Sequence, residues 1–251
     1  MRGEASATLS GIRRTASGRS AARQGRAEHV VAIAGVNLLA DPGGALFWPD
    51  ECVLVVADLH LEKGSAFAQR GVLLPPYDTA STLARLARLI DHYAPRCLIA
   101  LGDSFHDGQG PARMSDLDRI KLKALQRGRD WIWIAGNHDP DLPAEVGGRR
   151  ADVLALGPLT FRHAPRADAA DGEIAGHLHP VARLAQRGRA VSRRCFAGDE
   201  RRLVMPAFGA YAGGLNVRDA AILRLFGAGF TAHMLGAQRL YAIAAERCLP
   251  D

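Results

Sequence analysis

A chain of 251 residues, 48% hydrophobic and 23% charged with a formal net charge of +6, is long enough for one domain or two small ones around a substantial core. No run approaches the roughly 18 unbroken apolar residues of a membrane-spanning helix, so a helical membrane protein is excluded. Six arginines (Arg2, Arg13, Arg14, Arg19, Arg23 and Arg26) against Glu4 and Glu28 place +4 of the charge in residues 1–28, so the overall balance argues only weakly for a nucleic-acid partner.

Residues 1–28 are rich in Arg, Ser, Ala and Gly and lack an apolar stretch, so a basic disordered tail is expected there, not a secretory signal, with one domain over 29–251. The apolar runs 30–34 and 45–48 flank Asp41-Pro42-Gly43-Gly44, which predicts a β-hairpin. The run 53–57 predicts a buried strand, and it ends in Asp58-Leu59-His60. Residues 62–70 suit a short helix stopped by Gly71. Pro75-Pro76 then breaks the chain before Asp78 or Thr79 caps a second helix, whose Leu83, Leu86, Ile90 and Tyr93 recur at helical spacing.

A second strand over 97–101 runs into Gly102-Asp103. Met114, Leu117, Ile120, Leu122 and Leu125 then predict an amphipathic helix that ends at Gly128. The run 131–134 delivers Gly136-Asn137-His138-Asp139 to the end of a third strand. Past Asp152 the apolar runs are short: 153–156, 159–163, 181–184, 190–196, 203–205, 221–226 and 230–235. That spacing predicts a mainly antiparallel sheet, with 173–175 leading into Gly176-His177-Leu178-His179. Cys52, Cys97, Cys195 and Cys248 lie far apart with no Cys-x-x-Cys, as expected of free thiols in a reducing cytoplasm.

Four apolar runs thus end in carboxylate, amide or imidazole side chains. Hard carboxylate oxygens and directional imidazole nitrogens together suit divalent cations that act on phosphate esters. The ordered pattern Asp-x-His, Gly-Asp, Gly-Asn-His, a lone His and Gly-His-x-His resembles the calcineurin-like metallophosphoesterases. The resemblance implies an α/β fold, a four-layer α/β/β/α sandwich of two mixed β-sheets flanked by helices. It also implies two divalent metal ions, with manganese the first choice and iron, zinc, nickel or cobalt compatible with the same ligands.

Carried over residue by residue, Asp58, His60, Asp103 and His179 hold one metal, and Asp103, Asn137, His163 and His177 hold the other. A water bridging such a pair has its pKa lowered toward neutrality and attacks phosphorus as hydroxide. His138 serves as general acid, oriented by Asp139. His163 rests on its place after the strand run 159–162. His106 and Asp107 are expected to support the site from outside it, and His29, His92 and His233 to be structural or surface residues.

The segments 58–64, 102–107 and 205–216 are further similar to the ligase-associated DNA damage response endonucleases of bacteria. That likeness implies a DNA-cutting phosphodiesterase in DNA repair with a DNA ligase and a DEXH-box helicase as possible partners. Arg162 and Arg166 flank His163, and Arg194 sits in a run with Arg183, Arg187, Arg189, Arg193, Arg201 and Arg202, so the first three are candidates for phosphate contacts. A solvated basic edge explains the same arginines. A phosphomonoesterase or small-nucleotide phosphodiesterase with the same metals, or a scaffold without activity, stay open beside the nuclease.

Overall fold

The structure, a computed structural model, describes residues 6–8, 29–186, 188–227 and 229–251. The disordered tail expected over 1–28 lies outside the described residues except for β1 (Ser6–Thr8), which runs parallel to a strand of the second sheet.

The first sheet opens as an antiparallel meander of β2 (His29–Ile33), β3 (Val36–Ala40), β4 (Leu46–Trp48) and β5 (Val53–Ala57). It then grows by parallel addition of β6 (Cys97–Leu101), β7 (Asp130–Ile134) and β8 (Arg149–Ala151). The expected hairpin joined 30–34 directly to 45–48, but the strand that enters the Asp41–Gly44 turn is β3. Ala34 and Gly35 both adopt left-handed backbone (φ 48 and 78), the pairing a two-residue hairpin turn requires, so the first run folds back at Ala34.

The crossovers carry α1 (Lys63–Gln69), α2 (Asp78–Tyr93), α3 (Gly110–Arg113) and α4 (Asp116–Gln126). Leu83, Leu86, Leu89 and Ile90 of α2 pack with Leu54, Val56, Leu98 and Trp131 of the sheet. Such fully buried side chains are worth about 1.5–3 kcal/mol each. In α4 only Leu122 is buried, and Leu117 and Ile120 face solvent at 72% and 62% exposure. Two positions on a 3.6-residue helix lie nearly opposite each other, so burying Leu122 turns Ile120 outward.

The second sheet holds β9 (Val153–Leu156), β10 (Leu159–Arg162), β11 (Glu173–Ala175), β12 (Val181–Gln186), β13 (Arg189–Gly198), β14 (Arg202–Val204), β15 (Thr231–Leu235) and β16 (Leu240–Ala244). Its order is β1-β9-β10-β11-β14-β13-β15-β16, with β12 beside β13. Antiparallel pairs dominate, but β11 is parallel to both β10 and β14. The run 221–226 is not a strand: Ala220–Leu223 forms helix α5, whose start is capped by the Asp219 carboxylate accepting from the Ala221 amide.

Between the sheets, Val55, Ile99, Leu101, Ile132 and Ile134 meet Leu159, Phe161, Ile174, Phe196 and Leu203. Ile222, Phe226 and Phe230 cover the outer face of the second sheet over Cys195, Ala197 and Ala232. The layers are therefore helix, mixed sheet, mixed sheet and a thin helical cover, an α/β sandwich. Among the described residues no helix is long and apolar enough to cross a membrane.

Candidate metal centre

Strands β5, β6 and β7 stop in step, with Ala57 opposite Leu101 and Leu101 opposite Ile134, so the residues after them open along one edge. From the second sheet, β10 and β11 run side by side toward the same edge, with Arg162 opposite Ala175. His163 and residues 176–179 follow them.

The backbone turns sharply there. Asp58 (φ 52), His60 (φ 42), Asp103 (φ 44), His177 (φ 68) and His179 (φ 47) all hold the left-handed conformation. For residues with a Cβ this costs on the order of 1 kcal/mol or more each, so the surroundings must over-determine it. The His60 amide donates to Asp103 O at 2.8 Å, and the His177 amide donates to the Asp58 carboxylate at 3.0 Å. Gly102 and Gly136 make room: a Cβ on the first would stand within the His163 ring, and on the second against the Asp103 backbone.

Two groups of donor atoms result, each within a 4.8 Å span: Asp58, His60 and His179, and Asp103, His163 and His177. In the first, His179 Nε2 lies 3.3 Å from Asp58 Oδ1 and 3.4 Å from His60 Nε2. In the second, His163 Nε2 lies 3.4 Å from Asp103 Oδ1, 3.1 Å from His177 Nδ1 and 2.8 Å from Asn137 Oδ1. The other oxygen of Asp103, Oδ2, is 4.0 Å from His60 Nε2, so this one carboxylate faces both groups. All seven side chains named from the sequence come together here.

The donors fit a divalent cation. His163 Nδ1–H donates to the Leu101 carbonyl at 3.0 Å, which turns Nε2 toward two oxygens and a second imidazole nitrogen. Burial works against charge on His163, yet Asp103 and Asp58 carry its pKa up to about 9. Burial likewise lifts the Asp103 carboxyl, but His163 and the His138 amide bring it down to about 2. His60, desolvated and facing His179, is lowered to about 3 and stays neutral. Buried carboxylates that hold a proton on His163, beside a His60 kept neutral, converge on a point that calls for positive charge and make a hard-oxygen and nitrogen ligand set.

His138 stands apart from the seven. Its Nδ1–H donates to the His106 carbonyl at 2.8 Å, and its Nε2 is 3.8 Å from Asp103 Oδ2 on a side chain 41% exposed.

A family model for calcineurin-like phosphoesterases matches residues 53–184, from the first residue of β5 into β12, and so spans every one of these donors. The chain belongs to the calcineurin-like phosphoesterase family. It is accordingly a metal-dependent phosphoesterase. Among solved structures, the Pseudomonas putida nuclease MPE is 26% identical and aligns over 86% of this chain and 100% of its own, at a TM-score of 0.65. Yfce, a phosphoesterase from E. coli, is 14% identical over 77% of this chain and 98% of its own, at a TM-score of 0.37. No curated protein matches the chain.

In this phosphoesterase several expected contacts differ. Asp139 does not reach the His138 ring. It is 1% exposed, and its Oδ2 accepts the Phe105 amide at 3.0 Å while Oδ1 is buried without a partner. Burial raises its pKa to about 7, with the nearby Asp103 charge adding to the rise. Asp139 therefore fixes the 104–106 backbone, whose His106 carbonyl holds His138.

Nor do the three arginines line the metal cleft. Arg194 spends its guanidinium on the carbonyls of Ala207, Ala210 and Ala212, as a strut under that loop. Arg162 lies against Glu173 at 3.5 Å, and Arg166 pairs with Asp168 at 3.0 Å. The cleft, about 340 Å³, is lined by His60, His106, His138, His177, His179, Lys63 and the 213–215 loop. Lys63, one residue past the Asp-Leu-His-Leu-Glu run, is the cation the sequence reading missed. Its place five residues after Asp58 was the available signal.

Proposed function

We propose that this phosphoesterase is a binuclear phosphodiesterase that cuts DNA internally, a cytoplasmic endonuclease of DNA repair acting with a DNA ligase and a DEXH-box helicase. The observation that carries the reading is the Asp103 carboxylate facing two donor groups at the edge of an open cleft. In it Asp58, His60, Asp103 and His179 hold one cation, and Asp103, Asn137, His163 and His177 hold the second, with manganese as the working metal. When bound, such a pair supplies charge to the phosphoryl oxygens and lowers the pKa of a shared water.

The chain's own residues do the rest. Because His138 Nδ1–H is committed to the His106 carbonyl, Nε2 is the nitrogen that gives a proton to the leaving oxygen. The exposed His177, Asn137 and His138 leave the cleft open to a polymer, which suits an internal phosphodiester better than an enclosed pocket would. Likeness to the Pseudomonas putida nuclease supports a nucleic-acid substrate, and the likeness of residues 58–64, 102–107 and 205–216 to ligase-associated endonucleases supports the repair setting. Four free cysteines suit a reducing compartment.

The test sets single-stranded and duplex DNA beside bis(p-nitrophenyl) phosphate and p-nitrophenyl phosphate, with Mn²⁺ and then with chelator. Metal-dependent cutting of DNA and of the bis-ester is expected. Cleavage of the mono-ester only removes the nuclease reading, and no metal-dependent cleavage of anything makes the protein a scaffold.

A further inference from the structure

Lys63 is the one lysine or arginine among the described residues that line the metal cleft. Its Nζ donates to the Tyr211 carbonyl at 3.0 Å, which leaves ammonium hydrogens for another acceptor. Two bonds tie this lysine to the segment around Tyr77. The Gly64 amide donates to Asp78 Oδ2 at 2.9 Å, joining the residue after Lys63 to the residue after Tyr77. The Tyr211 hydroxyl donates to the Pro75 carbonyl at 2.7 Å, and the Tyr77 amide donates to that same carbonyl at 2.9 Å.

The sequence reading expected Asp78 or Thr79 to cap α2. Instead Asp78 is spent on Gly64, and the Thr79 hydroxyl accepts from the Glu62 amide while donating to the Glu62 carboxylate, both at 2.9 Å. The starts of α1 and α2 are thus pinned to each other by buried polar groups. Pro75-Pro76 stiffens the approach. What this rigid corner holds outward is unusual for a soluble surface: Tyr77 is 66% exposed, beside Leu73 at 85% and Val72 at 49%.

We propose that Lys63 and Tyr77 form a subsite for the nucleotide next to the scissile phosphate of a single-stranded nucleic acid, the ammonium taking its phosphate and the phenol ring its base. The inference rests on the nuclease reading and deepens it. An aromatic face can stack on a base only when that base is free of a complementary strand, so the subsite selects unpaired substrate. Stacking tolerates any base, and the ammonium contacts only backbone, so no sequence preference follows. Lys63 and Tyr77 enter as binding residues, with no part in moving the proton.

The test uses the full chain with Lys63→Met, Lys63→Arg and Tyr77→Ala. In chelator, where nothing is cut, anisotropy of fluorescein-labelled oligo(dT) is expected to show binding weakened about tenfold by Lys63→Met or Tyr77→Ala. An abasic oligomer of equal length is weakened by Lys63→Met and left alone by Tyr77→Ala. Lys63→Met also flattens the dependence of log K on log salt by about 0.7, the share of one phosphate on a single strand, and Lys63→Arg restores it.

In Mn²⁺ the ratio of kcat/KM on oligo(dT) to that on bis(p-nitrophenyl) phosphate falls about tenfold in both loss variants. An unchanged ratio and salt slope, or equal weakening of oligo(dT) and abasic binding by Tyr77→Ala, overturns the subsite while wild-type cutting keeps the nuclease reading. Wild-type binding sensitive to both variants, without wild-type cutting, supports the subsite and removes the nuclease reading instead.

Discussion

Histidine meets histidine at two places in this molecule, with nearly the same geometry and opposite electrostatics. His29 of β2 and His233 of β15 join the two sheets with ring centroids 4.8 Å apart at 72°. His163 and His177, in the cleft, stand 4.9 Å apart at 77°. The first pair is complete in itself: one ring donates to the other over 2.7 Å, and burial lowers both pKa values. The second has Asp58 and Asp103 beside it, and His163 rises to about 9. Two imidazoles alone make a neutral strut, whereas two imidazoles with carboxylates ask for a proton or a cation. The carboxylates, not the histidines, make the site.

The comparison breaks first at Asp103. Asp103→Asn removes the carboxylate charge whose two oxygens face the two donor groups, so metal content falls and hydrolysis of bis(p-nitrophenyl) phosphate drops by about a thousandfold or more. Metal analysis of the purified variant beside its turnover checks both parts. His138→Ala leaves all seven donors in place. Full metal content with turnover reduced about a hundredfold is expected, and a metal-free His138→Ala protein contradicts the separation of roles.

Asp139→Ala comes next. It strands the buried Phe105 amide, so the variant loses about 1–3 kcal/mol of stability in denaturant titration and slows about tenfold as the 104–106 segment loosens its hold on His138. A variant as stable as wild type would mean that the amide finds water.

What the chain's order made legible follows from the same division. Apolar runs ending in ligand-type residues announced β5, β6, β7 and β11 and six of the seven donors beyond them, because a buried strand must stop where its side chains turn polar; the seventh, His163, was named only from its place after β10. Other features are settled by contacts between distant segments, and the sequence does not display those.

The left-handed backbone of Asp58, His60, Asp103, His177 and His179 has no composition signal, since none is glycine. Arg194 looked like a phosphate ligand from its arginine-rich run. Only the fold shows three carbonyls of the 207–212 loop drawing on it. Asp139 was given to its sequence neighbour His138, but strand-end geometry turns it inward to Phe105. Residues 221–226 are apolar enough for a strand, and the Asp219 cap makes a helical turn there. Leu117 and Ile120 fell into an apolar count that ignored the near half-turn between Ile120 and Leu122.

The smallest expected effect sharpens the other half of the comparison. His233 is lowered to about 4 by burial and then by the facing His29, against an ordinary value of 6.5 in the unfolded chain. Between those values the unfolded chain binds a proton that the folded one refuses. The pair's contribution is therefore fully present above pH 6.5 and is lost as pH falls toward 4, by up to about 3 kcal/mol. His233→Gln keeps a hydrogen-bonding partner for His29 but does not titrate, so its stability should fall less steeply across that window than wild type's. Carboxylates elsewhere lose stability in acid in both proteins, which is why the difference between the two curves is the measurement. If the two run parallel from pH 6.5 to 4, the inter-sheet pair is not the neutral strut described here. If the variant is flatter, two histidines of like geometry will have been told apart by the carboxylates beside one of them.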